Sequence, residues 1–124
     1  MRKLTTRKYW SGNYKEPNIK KFTLKRFLSN YSFHKLDDIF HNYLSKSNNK
    51  KILKIGCAPG NWLIYFNKQF NYLPYGIEYT KCGCKVTKTN LKKNGVDGKI
   101  ICGDLFKTSF KTMGPYILYM GCKK

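Results

Sequence analysis

Only six side chains in this 124-residue chain are carboxylic acids, Glu16, Asp37, Asp38, Glu78, Asp97 and Asp104, against 25 Lys and Arg. Two of the six close short apolar runs: Glu78 ends Tyr75-Gly-Ile-Glu, and Asp104 ends Ile100-Ile-Cys-Gly-Asp. Upstream of both, the apolar run from Ile52 to Cys57 breaks into the turn Gly56-Cys-Ala-Pro-Gly60, and Asn61-Trp62-Leu63 opens a new amphipathic stretch at once. Glycines let the backbone turn sharply and approach a ligand with no Cβ between them. A helix start just beyond presents unpaired N–H groups and a positive dipole end, which suit an anionic group. Glu78 stands 22 residues after Gly56, the separation at which a nucleoside-binding βαβ unit brings an acid to a ribose. Recognition of a nucleoside is the chemistry these residues can share.

Plainer readings exist for each part. Gly56 to Gly60 could be only a strand-to-helix turn, and either acid could cap a helix. A dinucleotide site would want Gly-x-Gly-x-x-Gly, whereas Ala58 and Asn61 occupy the second and third glycine positions. Cys82-Gly-Cys84 has no other Cys or His at zinc spacing, so no metal is expected. His34 and His41 are seven residues apart and are expected to share a solvated or core-edge helix face. Tyr65, Phe66 and Phe70 read as core.

Positioning these residues requires an alternation of elements. Residues 1 to 21 are polar and basic, with Tyr9, Trp10, Tyr14 and Pro17, and read as an arm or lid. Apolar residues from Leu24 to Leu44 recur near helical spacing, which predicts one or two helices with a break near Ser29-Asn30. Strands are predicted at Ile52–Cys57, within Asn71–Tyr79, at Lys99–Cys102 and at Tyr116–Met120. Pro59 is expected at a helix start, and Thr80–Lys93 is expected to be helical, with a C-cap at Asn94-Gly95. The order predicts an α/β fold with mostly parallel strands and right-handed crossovers. Two segments follow: the basic arm and N-terminal helices over 1–50, and the nucleoside-binding part over 51–124.

On these residues, the stretch from Ile52 to about Phe106 resembles the cofactor half of a class I S-adenosylmethionine-dependent methyltransferase. Gly56-Cys-Ala-Pro-Gly60 looks like that family's first motif, Glu78 like its ribose-binding acid and Gly103-Asp104 like its adenine-side acid. The resemblance implies a Rossmann-like three-layer αβα fold and S-adenosyl-L-methionine as cofactor. The residues it implies in binding are Gly56, Cys57, Ala58, Gly60, Asn61, Trp62, Glu78, Tyr79, Asp104 and Leu105, with Leu105 or Phe106 packing on the adenine. Lys54 departs from the pattern, since the family usually carries an acid there. A cation at that position should repel the cofactor's ammonium and sulfonium.

The resembled fold continues through three more strands, so the chain is expected to hold an N-terminal portion, truncated after strand four, with reduced or no activity and with catalytic residues not assignable. The fourth strand, internal in the usual order, would then be an apolar edge. The product is therefore expected to be unstable, to aggregate, or to pair with a partner chain that completes the sheet.

The net charge of +19 makes nucleic acid a candidate partner, although lysines spread through the whole chain are equally explained by a general compositional bias. No apolar run reaches the roughly 18 residues of a membrane span. No secretory h-region follows the basic start, and five cysteines, an odd number, favour a reducing compartment over a disulfide framework. A cytoplasmic enzyme with an unknown methyl acceptor is the expectation. The rival readings are a non-catalytic basic module that binds RNA or protein, and a remnant without function.

Overall fold

The structure is a computed structural model that describes residues 20–104 and the backbone of 118–120. Its elements in chain order are α1 (Leu24–Phe27), α2 (Tyr31–Tyr43), β1 (Lys51–Ile55), α3 (Asn61–Phe70), β2 (Leu73–Glu78), α4 (Lys81–Lys93), β3 (Lys99–Cys102) and β4 (Leu118–Met120). The chain is thus α/β, with an open sheet in the order β3-β2-β1-β4. Every neighbouring pair is parallel: Lys54 stands opposite Gly76 on β2 and Met120 on β4, and Glu78 stands opposite Cys102 on β3.

The helix break falls where the sequence puts it. Thr23 caps α1 by accepting from the Arg26 N–H, and Asn30 caps α2 by accepting from the Phe33 N–H at 3.2 Å. Short polar side chains at these positions satisfy backbone donors that the helix itself leaves open. At its other end α4 stops as expected: Asn94 is the C-cap, and Gly95 at φ 67° lets Val96 N–H reach back to the Leu91 carbonyl at 2.9 Å. Pro59 differs from expectation. It lies in the turn, after a cis Ala58–Pro59 bond, and Gly60 rather than Pro59 is the cap of α3.

Side chains alternate across β1, so Ile52 and Lys54 face one side and Leu53 and Ile55 the other. On the first side, Ile52 packs with Leu63, Ile64, Tyr65, Phe66, Phe70, Tyr72 and Leu91 in the main core. On the opposite side, Leu53 and Ile77 form a smaller cluster with Ile55, Tyr75 and Ile101, made of strand residues alone. The three-layer αβα expectation is therefore met in part: α3 and α4 cover the sheet from one face, and among the described residues no helix joins the cluster on the other. Two crossovers running the same way, β1 to β2 to β3, put both helices on one face.

Aromatic rings fasten α1 and α2 onto this layer. Trp62 meets Phe27 edge-on at 4.7 Å and Phe33 at 4.9 Å, Phe40 lies 5.0 Å from Phe66, and Tyr65 and Phe66 have no exposure. Such pairs add about 0.5–1.5 kcal/mol each beyond the area they bury. The Tyr65 hydroxyl donates to Asp37 at 2.5 Å, and both burial and that carboxylate raise its pKa. Tyr65, Phe66 and Phe70 are core residues, as the spacing predicts.

The histidines of α2 each face a carboxylate one turn away: His41 lies 3.2 Å from Asp37 and His34 lies 3.8 Å from Asp38. His41 also lies against the Phe70 ring. One cysteine expectation is corrected. Cys84, in the first turn of α4, is paired with Cys102 at the end of β3, their Cα atoms 5.7 Å apart. Parallel pairing of β2 with β3 brings the two together. Cys57 is a free, buried thiol.

Candidate functional site

The carboxyl ends of β1, β2 and β3 lie along one edge of the sheet, where an open parallel sheet has its crevice, and the chain reverses its direction of travel across the sheet between β1 and β4. In open parallel sheets ligands sit at that reversal, outside the carboxyl ends of the strands. The turn after β1, the acid ending β2 and the acid after β3 all lie on this rim.

Two N–H groups of the glycine turn reach the Ile77 carbonyl, Gly56 at 2.8 Å and Cys57 at 3.4 Å, which pins the turn to β2. Gly56 at φ 70° and Gly60 at φ 99° occupy the left-handed region that favours glycine. A Cβ on Gly60 would also lie 3.0 Å from the Thr87 methyl, so the turn and α4 pack closely. No side chain caps α3, whose cap residue is Gly60 itself. The first-turn amides of α3 are thereby left to another acceptor.

Cys57 does not present its side chain to the crevice. It is 2 % exposed and fits the notch that Gly76 leaves on β2, where a Cβ would come within 2.6 Å of the sulfur. Burial, and next the Glu78 carboxylate, push its thiol up to about 12, although the Thr87 hydroxyl and the Lys54 ammonium act the other way. An inert, neutral thiol results. Any contact Cys57 makes with a ligand is through its backbone.

Glu78 is 4 % exposed, and both of its carboxylate oxygens accept hydrogen bonds. Its Oε1 accepts from the Ala58 N–H at 3.3 Å, and its Oε2 accepts from the Thr80 N–H at 3.1 Å and the Thr80 hydroxyl at 2.9 Å. Thr80 in turn caps α4 by accepting from the Gly83 N–H at 3.0 Å. One buried carboxylate thus ties the glycine turn to the start of the next helix. A carboxylate has about four acceptor positions, so Oε1, holding one long bond, is the oxygen with capacity left for a ligand hydroxyl.

The remaining predicted residues divide. The Gly103 N–H donates to the Glu78 carbonyl at 2.9 Å, which sets half-buried Asp104 on the same rim as Glu78. Tyr79 is half-buried beside Glu78. Asn61 is exposed, and its side-chain Oδ1 accepts from the Asn90 amide at 3.0 Å. Trp62 sits in the aromatic cluster with Phe27, Phe33 and Phe40, which accounts for it as packing. Leu105 and Phe106 lie outside the described residues.

Lys54 is 9 % exposed, and its ammonium donates to the Gly56 carbonyl at 3.0 Å. The cation therefore stands under the glycine turn, as its place in the sequence suggests. A hydrogen bond of this kind offsets part of the cost of burying an ammonium.

Sequence reasoning missed how the rim is supported, since it reads Asn94 only as a helix cap and does not single out Asn90. Asn90 donates to the Pro59 carbonyl at 2.8 Å, and Asn94 donates to the Asn90 backbone and side chain at 2.8 and 3.0 Å. Asn94 also accepts from the Phe22 N–H at 2.9 Å. Two buried amides thus run from the N-terminal segment to the glycine turn. Their signal in the sequence is faint: Asn90 and Asn94, four apart, in line with the buried face of α4.

Among the described residues no group of three His, Cys, Asp or Glu side chains could hold a metal ion, and no helix is long and apolar enough to cross a membrane. Set against protein-family models, characterised proteins and solved structures, the chain matches none.

Proposed function

We propose that the chain binds S-adenosylmethionine in this crevice, within a Rossmann-like fold, and belongs to a methyltransferase. The observation that carries the reading is the coincidence of three features at one sheet edge: a glycine turn after β1, an acid ending β2 and an acid after β3, beside the point where the strand order reverses. The uncapped first turn of α3 supplies donors for the cofactor's carboxylate. Oε1 of Glu78 takes a ribose hydroxyl, and Asp104 accepts from the adenine amine. The cofactor itself supplies the electrophilic methyl group, and the chain supplies orientation and electrostatics.

Lys54 weakens this site without closing it. The ammonium is buried against the Gly56 carbonyl, where solvent screens it little, so one further positive charge near a sulfonium costs on the order of 1 kcal/mol or more, at least several-fold in affinity. The acceptor group and any partner chain extending the sheet beyond β4 remain part of the proposal.

Titration calorimetry with adenosylhomocysteine tests the reading. Wild type should bind with one site per chain, and Glu78→Gln, which keeps an acceptor oxygen but loses the charge, should bind at least tenfold more weakly. An absence of heat with wild type, or equal affinity in the variant, would remove the proposal.

A further inference from the structure

The lysines of this chain are not spread evenly over its helices. α2 and α4 are both 13 residues long. On α2 the exposed positions are mixed, with Lys35 the one lysine among residues that include Asp38, Ile39 and Tyr43. On α4 the exposed positions are Lys81, Lys85, Lys88, Thr89, Lys92 and Lys93. A uniform compositional bias would load both helices alike.

The spacing matters as much as the number. Lys81, Lys85, Lys88 and Lys92 recur at steps of four and three, so they form one stripe along the helix. At 1.5 Å per residue the stripe is about 16 Å long. Lys81 stands in the first turn, where a positive side chain opposes the helix dipole and where no acid is present to offset it. A local rule broken without a structural gain marks a surface kept for another purpose.

From this we infer that the exposed face of α4 docks the phosphate backbone of a nucleic-acid duplex. The stripe bears no aromatic side chain on which unstacked bases could lie, which disfavours single strands. It bears no apolar side chain to enter a lipid interface, which disfavours a membrane. What it offers is a rigid row of point charges, the complement of a regular phosphate array. The stripe starts one residue after Thr80, beside Glu78, so a duplex lying along it reaches the rim of the crevice. That the duplex carries the methyl acceptor rests on the proposed function above; the docking does not.

The test is fluorescence anisotropy with a labelled RNA duplex of about 20 base pairs at several salt concentrations, with the DNA duplex of the same sequence telling the two sources apart. The triple variant Lys81→Gln, Lys88→Gln, Lys92→Gln should melt like wild type, bind at least tenfold more weakly and lose about 2 to 3 from the slope of log affinity against log salt. A matched triple elsewhere, Lys35→Gln, Lys46→Gln, Lys68→Gln, should change the slope by less than about 1. Equal losses in both triples would overturn the inference, as would tighter binding to the single strand or to phosphatidylserine vesicles. Should the first triple melt early, Lys88→Gln with Lys92→Gln is the fallback and should reduce the slope by about 2. Adenosylhomocysteine calorimetry on the same proteins separates the two proposals, since duplex binding without cofactor binding would sink the function and leave the docking standing.

Discussion

The Glu78 carboxylate accepts the backbone N–H of Ala58 at 3.3 Å across a sequence separation of 20, and with its other oxygen it holds the cap of α4. The acid that a ligand would need is therefore also the residue that closes the site's walls. Removing it should cost stability as well as binding. In Glu78→Ala the Thr80 N–H and hydroxyl and the Ala58 N–H lose their acceptor, and one such buried loss costs about 1–3 kcal/mol. Urea denaturation should show Glu78→Ala less stable than wild type by about 2–4 kcal/mol, with Glu78→Gln between them. A change within about 0.5 kcal/mol would show that these bonds stabilise nothing.

Gly83→Ala should reverse the usual helix rule. Replacing an interior glycine with alanine ordinarily gains up to about 1 kcal/mol. Here the added Cβ would lie 2.6 Å from both Glu78 Oε2 and Thr80 Oγ1, and such overpacking costs about 1–3 kcal/mol. The variant should melt earlier than wild type. A gain in melting temperature would mean that the carboxylate is not held where the structure has it.

Lys54→Met separates two effects of the buried ammonium. The bond to the Gly56 carbonyl is lost, so stability should fall by about 1 kcal/mol. The positive charge is lost as well, so adenosylhomocysteine and especially the sulfonium-bearing adenosylmethionine should bind several-fold more tightly. Calorimetry with both ligands reads the difference, and weaker binding of adenosylmethionine would contradict the placing of Lys54 against the cofactor.

Alkaline pH should destabilise the fold through Cys57. Its thiol rises from 9.0 to about 12 on folding. Below pH 9 the folded and unfolded chains both keep the proton, so the stabilisation is fully present. Above pH 9 the unfolded chain releases it first, and stability falls by up to about 1.4 kcal/mol per pH unit, on the order of 4 kcal/mol in all. Tyr65 and Tyr72, whose pKa values are also raised, act in the same direction from about pH 10. Cys57→Ala should flatten the limb between about pH 9 and 10. An unchanged slope there would count against a buried thiol.

Reduction of the Cys84–Cys102 pair should loosen the same wall. The two residues are 18 apart, and closing a loop of that size stabilises a fold by about 3 kcal/mol in the chain-entropy account. Denaturation with and without dithiothreitol should differ by about that much, and Cys84→Ser should match the reduced protein. Indifference to reductant would show that the pairing does not constrain the chain.

The elements were legible because their signals are local. The break at Ser29-Asn30, the stop at Asn94-Gly95 and the apolar run of β1 each follow from capping, turn chemistry or period. The rim was legible for a related reason: Gly56, Glu78 and Asp104 sit at the ends of elements, and parallel pairing gathers strand ends. What was not legible depends on register across elements. Nothing in the sequence distinguishes Cys84 from Cys82 as the partner of Cys102 before β2 and β3 are paired. Trp62 reads both as part of the buried face of α3 and, through the resemblance, as a ligand contact; that its packing partners are Phe27 and Phe33 depends on how α1 and α2 fold over it. Asn90 looks like an ordinary helix polar residue, and Asn94 like a helix stop and nothing more, until the turn at Pro59 is laid against them.

The most direct measurement is a heteronuclear NMR titration of the labelled chain with adenosylhomocysteine, beside a parallel titration with a nicotinamide dinucleotide. The account predicts saturable amide shifts at Gly56, Gly60, Asn61, Glu78 and Asp104 with the first ligand, and none of comparable size with the second. Shifts scattered away from the ends of β1, β2 and β3, or no saturable shifts at all, would contradict it.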